Sequence, residues 1–323
     1  LTMNFIKPKI KLSILTTTLL IATIPHLHSQ VVEPIPFGDF EQWMVRHIKE
    51  SVLLGGKTKT IYAVAPTKVV KGAKPYVPSD SPWGTSNALA NVAGIVKASG
   101  TVVPVERSSH NRCAYLVSAF DSCKALGMVN IKVFVSGTLF LGETLEPIRG
   151  VNNPYSKINL GIPFTKKPKA LKLDYKSTIP NTGIIVRCTG FSYSESTGKD
   201  PAMIFILLQN RTEQPDGSIT ALRVGTGYEF INQTTDGWIN KHLIPIHYGT
   251  IPHESTLHTQ IKLGSHFFAK NSKDKNVEIT ETGWGNEETP VTHIIVYIST
   301  GSQGAFVGAL GNELWIDTIA FEY

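Results

Sequence analysis

Cysteine, acidic residues and long hydrophobic runs are all scarce in this sequence of 323 residues. The three cysteines, Cys113, Cys123 and Cys188, include no C-x-x-C pair. An odd count with this spacing argues against a zinc site and against a disulfide framework. Cys113 and Cys123 could still bridge a hairpin, and the alternative is that all three are small buried side chains.

The charge balance gives no electrostatic footprint for nucleic acid. The formal net charge is +6, and residues 1–30 contribute three lysines and no acid, so the remainder carries +3. This excess is too mild for the basic patch of a nucleic-acid-binding domain. The lysines between Lys57 and Lys74 are interleaved with apolar residues, glycine and proline, as in a solvated edge hairpin. We expect no nucleic-acid partner.

The longest apolar run, Leu12 to Ile24, is about 13 residues, against the roughly 20 that a membrane-spanning helix needs. A basic stretch precedes this run, and small and polar residues follow it, which is the pattern of a secretory signal peptide. The sequence therefore predicts a signal peptide over residues 1–30 and a single domain over residues 31–323. It also predicts export, to the periplasm or the extracellular space, without a membrane span after cleavage.

Recognisable catalytic motifs are missing too. The segment "HESTLH" places His253 and His258 five positions apart, whereas a zincin needs histidines four positions apart on one helical face. Neither a G-x-S-x-G elbow nor a glycine-rich phosphate loop occurs. The few glutamates lie in loop-like segments, and the paired carboxylates of a glycosidase are defined by their separation in space. We assign no catalytic residue.

The sequence does show the pattern of β-strands throughout. Short segments rich in Val, Ile, Thr, Phe and Tyr alternate with clusters of Gly, Pro, Asn and Asp. They predict strands within residues 61–66, 100–107, 113–120, 131–142, 169–178, 183–193, 202–210, 222–231, 238–248, 292–301 and 314–323. Only "FEQWMVRHIKES" has helical spacing, through Phe40, Met44 and Ile48. Many strands without βαβ alternation predict an all-β sandwich or jelly roll.

Two of these strands are apolar at nearly every position: "MIFILL", residues 203–208, and "HIIVYI", residues 293–298. A half-exposed antiparallel strand would alternate apolar and polar residues. We therefore expect both to be central strands that are covered on both faces, with a long loop as one candidate cover.

The last strand, "LWIDTIAFEY", also looks buried on both faces, yet it contains Asp317. Regular alternation places Leu314, Ile316, Thr318 and Ala320 on one face and Trp315, Asp317, Ile319, Phe321 and Tyr323 on the other. A buried carboxylate is costly unless it is hydrogen-bonded or bound to an ion.

Two tryptophans lie in segments rich in Gly, Asn, Ser and Asp: Trp83 in "SDSPWGTSNALANVAG" and Trp284 in "ETGWGNEE". An exposed aromatic ring beside amide side chains is suited to stacking on a sugar while the amides bind its hydroxyls. The candidate ligand-binding residues are therefore Trp83, Asn87, Asn91 and Trp284. The alternative is that Trp83 fills one end of the sandwich as part of the core.

Several longer segments resemble one family in their order along the chain. They are "FGDFEQW", "SPWGTSNALANVAG", "SGTLFLGETLEP", "NLGIPFTKKPKALKLDYKST", "DGWINKHLIPIHY" and the closing "THIIVYISTGSQGAFVGALGNELWIDTIAFEY". Over residues 35–323 the chain resembles the putative carbohydrate metabolism domain (PCMD) of exported Bacteroidetes proteins. The resemblance implies a jelly-roll β-sandwich similar to galactose-binding and carbohydrate-binding modules, and a role in glycan use. It supplies no catalytic residue.

A structural calcium follows from the same resemblance, because jelly-roll carbohydrate modules often hold one between their first and last strands. Asp39, Glu41 and Asp317 are the candidate ligands here, since calcium takes six to eight oxygen ligands. The alternative is that Asp317 accepts backbone N–H groups or pairs with an arginine or lysine.

For function, the sequence favours an exported glycan-binding module that does not catalyse a reaction. A glycoside hydrolase or lyase and an adhesive or structural surface protein are the alternatives. The expected partner is a carbohydrate.

Overall fold

Each segment predicted to be a strand contains a strand in the computed structural model. The strands of the first half, numbered in chain order, are β1 (Val32–Pro34), β2 (Trp43–Lys49), β3 (Thr58–Val64), β4 (Lys68–Lys71), β5 (Trp83–Thr85), β6 (Ala88–Val92), β7 (Ile95–Ser99), β8 (Val102–Ser108), β9 (Asn111–Val117), β10 (Ala119–Ala125), β11 (Val129–Val135), β12 (Thr138–Thr144) and β13 (Ile158–Leu160). Those of the second half are β14 (Ile162–Pro163), β15 (Ala170–Thr178), β16 (Gly183–Gly190), β17 (Tyr193–Gly198), β18 (Ala202–Glu213), β19 (Ile219–Ile231), β20 (Ile239–Pro245), β21 (His247–Tyr248), β22 (Phe268–Lys270), β23 (Asn276–Trp284), β24 (His293–Ser299), β25 (Val307–Ala309) and β26 (Glu313–Glu322).

The structure describes residues 31–77, 80–125, 129–181, 183–190, 192–257, 261–264 and 266–323. The predicted signal peptide over residues 1–30 and the residue His258 lie outside the described residues. The 3₁₀ helices Val52–Leu54 and Pro154–Lys157 interrupt the strands. Over the residues described, no helix combines the length and hydrophobicity needed to cross a membrane.

Two sheets form the main sandwich. The larger sheet has the order β13-β12-β24-β18-β19-β23-β22, and β14, β21 and β5 pair onto its strands. The second sheet has the order β20-β15-β26-β9-β8, with β1 paired to β26. Smaller sheets of order β3-β2-β4, β6-β7 and β10-β11-β16-β17, with β25 paired to β16, are attached. The all-β class and the sandwich are therefore confirmed, while the jelly-roll connectivity stays a prediction.

The main core lies between the two sheets and follows the two-residue period of their strands. Ile204, Ile206 and Leu208 of β18 belong to it, together with Leu314 and Ile316 of β26, and all five are fully buried. Since one aliphatic side chain contributes about 1.5–3 kcal/mol when it is buried, this alternating face is the main source of stability of the sandwich.

The opposite face of the larger sheet is apolar as well. Phe205 and Leu207 of β18 belong to a second buried cluster that also contains Ile261 and Phe267, which lie in the excursion between β21 and β22. Both faces of β18 are thus covered, one by the second sheet and one by this excursion. The expectation for the continuous apolar runs is confirmed.

The helical spacing noted in "FEQWMVRHIKES", a poor helix candidate, does not correspond to a helix. Phe40 lies in a turn with φ 51°, and the following residues form β2, which pairs with β3 and β4. Met44, Arg46 and Ile48, at every second position, lie on the buried face of this strand. Arg46 broke the apolar pattern in the sequence, but its guanidinium is buried against Glu146, with Nη2 and Oε2 2.7 Å apart.

The predicted faces of the last strand are correct only for its first half. Leu314 and Ile316 lie in the main core, but Ile319 and Phe321, which were expected on the other face, lie in the same core. The alternation therefore changes phase between residues 316 and 319.

A β-bulge causes this change of phase. Asp174 pairs with Asp317 and Lys172 with Ala320, so one intervening residue of β15 faces two of β26. Thr318 has φ 54°, the left-handed conformation that side chains other than glycine rarely adopt. Its N–H donates to Asp317 Oδ1 at 2.7 Å, so the aspartate stabilises the bulge.

The three cysteines are all buried and free. Cys113 lies on β9 in the second sheet, and Cys123 lies on β10 in a different sheet. They do not bridge a hairpin, and the alternative of small buried side chains is confirmed. Burial raises the pKa of the Cys113 thiol to about 12.

Candidate functional site

Four aromatic residues form a row across four neighbouring strands of the larger sheet. Phe140 of β12 pairs with Tyr297 of β24, Tyr297 with Phe205 of β18, and Phe205 with Tyr228 of β19. Neighbouring rings are nearly parallel, with centroids 6.1, 5.0 and 6.3 Å apart. Offset stacks of this kind prefer separations of about 4.5–7 Å. We call these four residues the aromatic row.

The aromatic row exists because of the strand register. Phe140, Phe205 and Tyr297 each follow a residue that lies in the main core, namely Leu139, Ile204 and Val296. Alternation then turns the aromatic side chains to the opposite face. Gly84 faces Phe140 in the register, and a Cβ atom there would lie 2.5 Å from the Phe140 ring. Glycine therefore leaves room for one end of the row.

A cavity of about 570 Å³ lies over the aromatic row, and all four rings line it. Ile131, Val133 and Val135, every second residue of β11, also line it. The cavity is thus bounded by the outer face of the larger sheet and by an apolar face of the five-stranded sheet. Its volume falls in the range of about 300–1,000 Å³ that is typical of ligand sites.

The phenols of Tyr228 and Tyr297 are the polar groups of the aromatic row. Burial raises the pKa of both phenols above the ordinary value of 10, so both stay protonated at neutral pH. Each can therefore donate and accept a hydrogen bond.

Two hydrogen-bonded pairs that include charged or titratable side chains lie at the cavity and are more exposed than the row, and Lys157 lines it as well. Lys97 Nζ lies 2.9 Å from Asp121 Oδ1, and His266 Nδ1 lies 2.8 Å from Glu278 Oε1. The ring of Tyr155 stacks on that of His266, with centroids 6.0 Å apart. These groups offer hydrogen-bond donors and acceptors. We call Lys97, Asp121, Tyr155 and His266 the polar rim.

The glycine-rich loop after β24 supplies another wall, through Gly301, Ser302 and Phe306 among others. Asp200, which is 1% exposed, holds this loop: Oδ1 accepts the Ser302 N–H at 2.8 Å and Oδ2 accepts the Ala309 N–H at 3.0 Å. A Cβ atom on Gly301 would lie 2.5 Å from Asp200 Oδ2. The buried carboxylate and the glycine together fix the position of the wall.

The structure corrects the expected exposure of Trp83. Its side chain is 1% exposed, it packs 5.8 Å from the Phe40 ring, and its Nε1 donates to the Pro36 carbonyl at 2.9 Å. A ring in this environment has no free face for a sugar. The alternative, that Trp83 is part of the core, is confirmed.

Asn87 is likewise a structural residue. Its Nδ2 donates to the carbonyls of Tyr62 and Val102 at 2.8 and 2.6 Å, and its Oδ1 accepts the N–H groups of Thr101 and Val102 at 2.8 and 2.9 Å. The amide joins β3 to β8 and has no free group for a ligand hydroxyl, so its expected availability is also corrected.

Neither of the other two candidates joins the cavity. Ala90 and Val92 of β6 line it, whereas Asn91 alternates to the opposite side. Trp284, the last residue of β23, is half-buried, and the Arg223 guanidinium lies 5.6 Å from its ring centroid. A ligand role for these two side chains stays a prediction.

Asp39, Glu41 and Asp317, the proposed calcium ligands, are not arranged as a cation site. Asp317 Oδ2 accepts a hydrogen bond from Arg107 Nη1 at 2.6 Å, and Oδ1 accepts from Thr318. Glu41 Oε1 accepts from the Arg112 N–H at 2.9 Å, and Asp39 is exposed. Within the described ranges, no group of three or more His, Cys, Asp or Glu side chains could hold a metal ion. The arginine alternative for Asp317 is confirmed.

Sequence reasoning missed the aromatic row. Its signal was present in the two apolar runs, since Phe205 and Tyr297 occupy the positions opposite to the core residues of those strands. What the runs do not show is that Phe140 and Tyr228 stand beside them, because that depends on which strands pair.

A family model described as "Putative carbohydrate metabolism domain" matches residues 40–321. A crystal structure of a putative glycoside hydrolase from Bacteroides vulgatus ATCC 8482 is similar to this chain, with a TM-score of 0.40 and 14% identity. The similarity covers 90% of this chain and 94% of that one. No curated protein matches the sequence.

Proposed function

Because the chain belongs to the putative carbohydrate metabolism domain family, we propose that the cavity over the aromatic row binds a carbohydrate. The observation that carries the proposal is the row itself: four stacked rings beneath a cavity of about 570 Å³. The apolar C–H faces of a sugar pack against aromatic rings, and its hydroxyls need donors and acceptors. The phenols of Tyr228 and Tyr297 supply both.

We propose binding rather than hydrolysis. Among the described residues that line the cavity, Asp121 is the one carboxylate, and it is paired with Lys97. Most glycoside hydrolases use two carboxylates across the scissile bond, whereas binding needs none. We also propose that the protein is exported, on the basis of the leader pattern in residues 1–30.

A glycan array followed by calorimetry tests the proposal. Tyr297→Phe and Tyr228→Phe each remove one hydroxyl from the cavity without changing the ring. Since a hydrogen bond contributes about 0.5–1.5 kcal/mol, each change is expected to weaken binding about 2- to 13-fold with little change in melting temperature. Tyr193→Phe is the matched control, because Tyr193 is 51% exposed and lies outside the cavity.

Three results would contradict this function. Unchanged affinity in both cavity variants would place the ligand elsewhere. Absence of any array signal would favour an adhesive or protein-binding role. Release of reducing sugar that Asp121→Asn abolishes would make the protein a hydrolase.

A further inference from the structure

The side of the cavity formed by β11 is poor in groups that can satisfy a sugar hydroxyl, whereas the Tyr228 and Tyr297 phenols lie on the opposite side. Ile131, Val133 and Val135 face it from β11, and Met203 and Phe306 also line it. A hydroxyl buried against such side chains without a partner costs about 1–3 kcal/mol. An unsubstituted sugar would lose several hydrogen bonds to water in this part of the cavity.

The polar rim has the opposite character. Lys97 and Asp121 are 16% and 18% exposed and are paired with each other, and His266 is paired with Glu278. The Lys97–Asp121 pair combines opposite charges, and the rim offers donors and acceptors that suit the hydroxyls of a sugar. The cavity therefore joins an apolar interior to a rim that forms hydrogen bonds.

We infer that the ligand of this cavity is a carbohydrate that carries an alkyl or acyl chain, with the sugar on the aromatic row beside the polar rim and the chain against the apolar face of β11. The inference rests on the proposed function and specifies its substrate class. A chain without hydroxyls removes the interior surface from water without leaving a polar group unpaired, and this burial is favourable. The cavity volume of about 570 Å³ lies in the middle of the range for ligand sites of a few hundred to a thousand Å³.

Matched glycosides separate the chain from the sugar. Methyl and octyl β-D-glucopyranoside, and the corresponding galactoside and mannoside pairs, are titrated by calorimetry below the micelle concentration, with 1-octanol as the probe that lacks a sugar. Each buried methylene corresponds to about 0.8 kcal/mol, or about fourfold in affinity. Partial burial of the octyl chain should thus make at least one octyl glycoside bind about 100-fold or more tightly than its methyl partner, and also more tightly than 1-octanol.

Val133→Thr tests the position of the chain. The substitution keeps the shape of the side chain and places a hydroxyl in the apolar interior, and it should weaken octyl glycoside binding about fivefold or more while leaving methyl glycoside binding unchanged. Val69→Thr is the control, because Val69 is 58% exposed on β4 and lies outside the cavity. A melt of each variant confirms that it is folded, and Val135→Thr is a second variant for the same wall.

The failures of the two proposals are distinguishable. Equal affinity of a methyl glycoside and its octyl partner would contradict the proposed binding of an alkyl chain. It would leave the proposed carbohydrate binding intact. Equal affinity of 1-octanol and the octyl glycosides would overturn carbohydrate recognition itself. If no octyl glycoside binds, the inference is wrong and the array result decides the proposed function independently.

Discussion

Arg107 and Asp317, separated by 210 positions in the chain, form an ion pair in which Nη1 lies 2.6 Å from Oδ2. The same Arg107 nitrogen lies 2.8 Å from Asp174 Oδ2, and its guanidinium stacks 4.1 Å from the centroid of the Trp238 ring. The carboxylate in the middle of an otherwise apolar strand thus balances a cation on the outer side of the second sheet and, through Thr318, stabilises the bulge.

Replacing Asp317 should destabilise the protein. Asp317→Ala removes one partner of Arg107 and leaves the Thr318 N–H without its acceptor, which we expect to lower the free energy of unfolding by about 2 kcal/mol. Urea denaturation measures this change. Asp39→Ala, at an exposed position, is the control and should leave the midpoint unchanged; an equal loss in both variants would contradict the role of the pair.

Calcium should not stabilise the protein through Asp317, because N–H donors already occupy both of its carboxylate oxygens. We expect the same melting temperature in EDTA and in added calcium. A calcium-dependent rise that Asp317→Ala abolishes would restore the metal-site hypothesis.

Trp83 should contribute to stability rather than to binding. Trp83→Ala creates a cavity beside Phe40, and the cost for a buried aromatic residue is about 3–5 kcal/mol. Trp83→Phe keeps most of the ring volume and should cost less. Thermal melts measure the loss of stability. Calorimetry of each folded variant, below its melting temperature, should give the same glycan affinity as the wild-type protein for any glycan found on the array. A folded Trp83→Phe variant with lost affinity would show that the ring contacts the ligand.

Asp200 should control the glycine-rich wall. Asp200→Asn replaces one acceptor oxygen by a donor that faces backbone N–H groups, so amide exchange of Ser302 and Ala309 should accelerate more than that of β18. Glycan affinity should fall in parallel. Uniform acceleration across the domain would indicate global destabilisation instead.

His293 should make the folded protein less stable in mild acid. Burial, with a smaller contribution from Arg211, lowers the pKa of His293 from 6.5 to about 4. Between these values the unfolded chain binds a proton that the native chain does not, so this residue favours unfolding as the pH falls. His293→Gln should remove its part of the slope. Urea denaturation at several pH values tests this, and parallel curves for the variant and wild type would contradict it.

The strands and their apolar faces were predictable because alternation is local. The segments within residues 202–210 and 292–301 form β18 and β24, and both faces are covered as the sequence indicated. Trp83 was misplaced because its neighbours Pro82, Gly84 and Asn87 are as common in exposed loops as at strand ends. Gly84 is needed because the Phe140 ring packs against it, and Phe140 lies 56 positions away in the sequence.

The amino-acid sequence by itself determined the all-β class, the position of many of the strands and the need of Asp317 for a partner, since each depends on side-chain period or on the cost of burying a charge. Only the tertiary structure decided that this partner is Arg107, that Thr318 shifts the phase of the last strand, and that Phe140, Tyr297, Phe205 and Tyr228 stand in one row. Strand pairing and register are interactions between distant segments, and no local pattern specifies them.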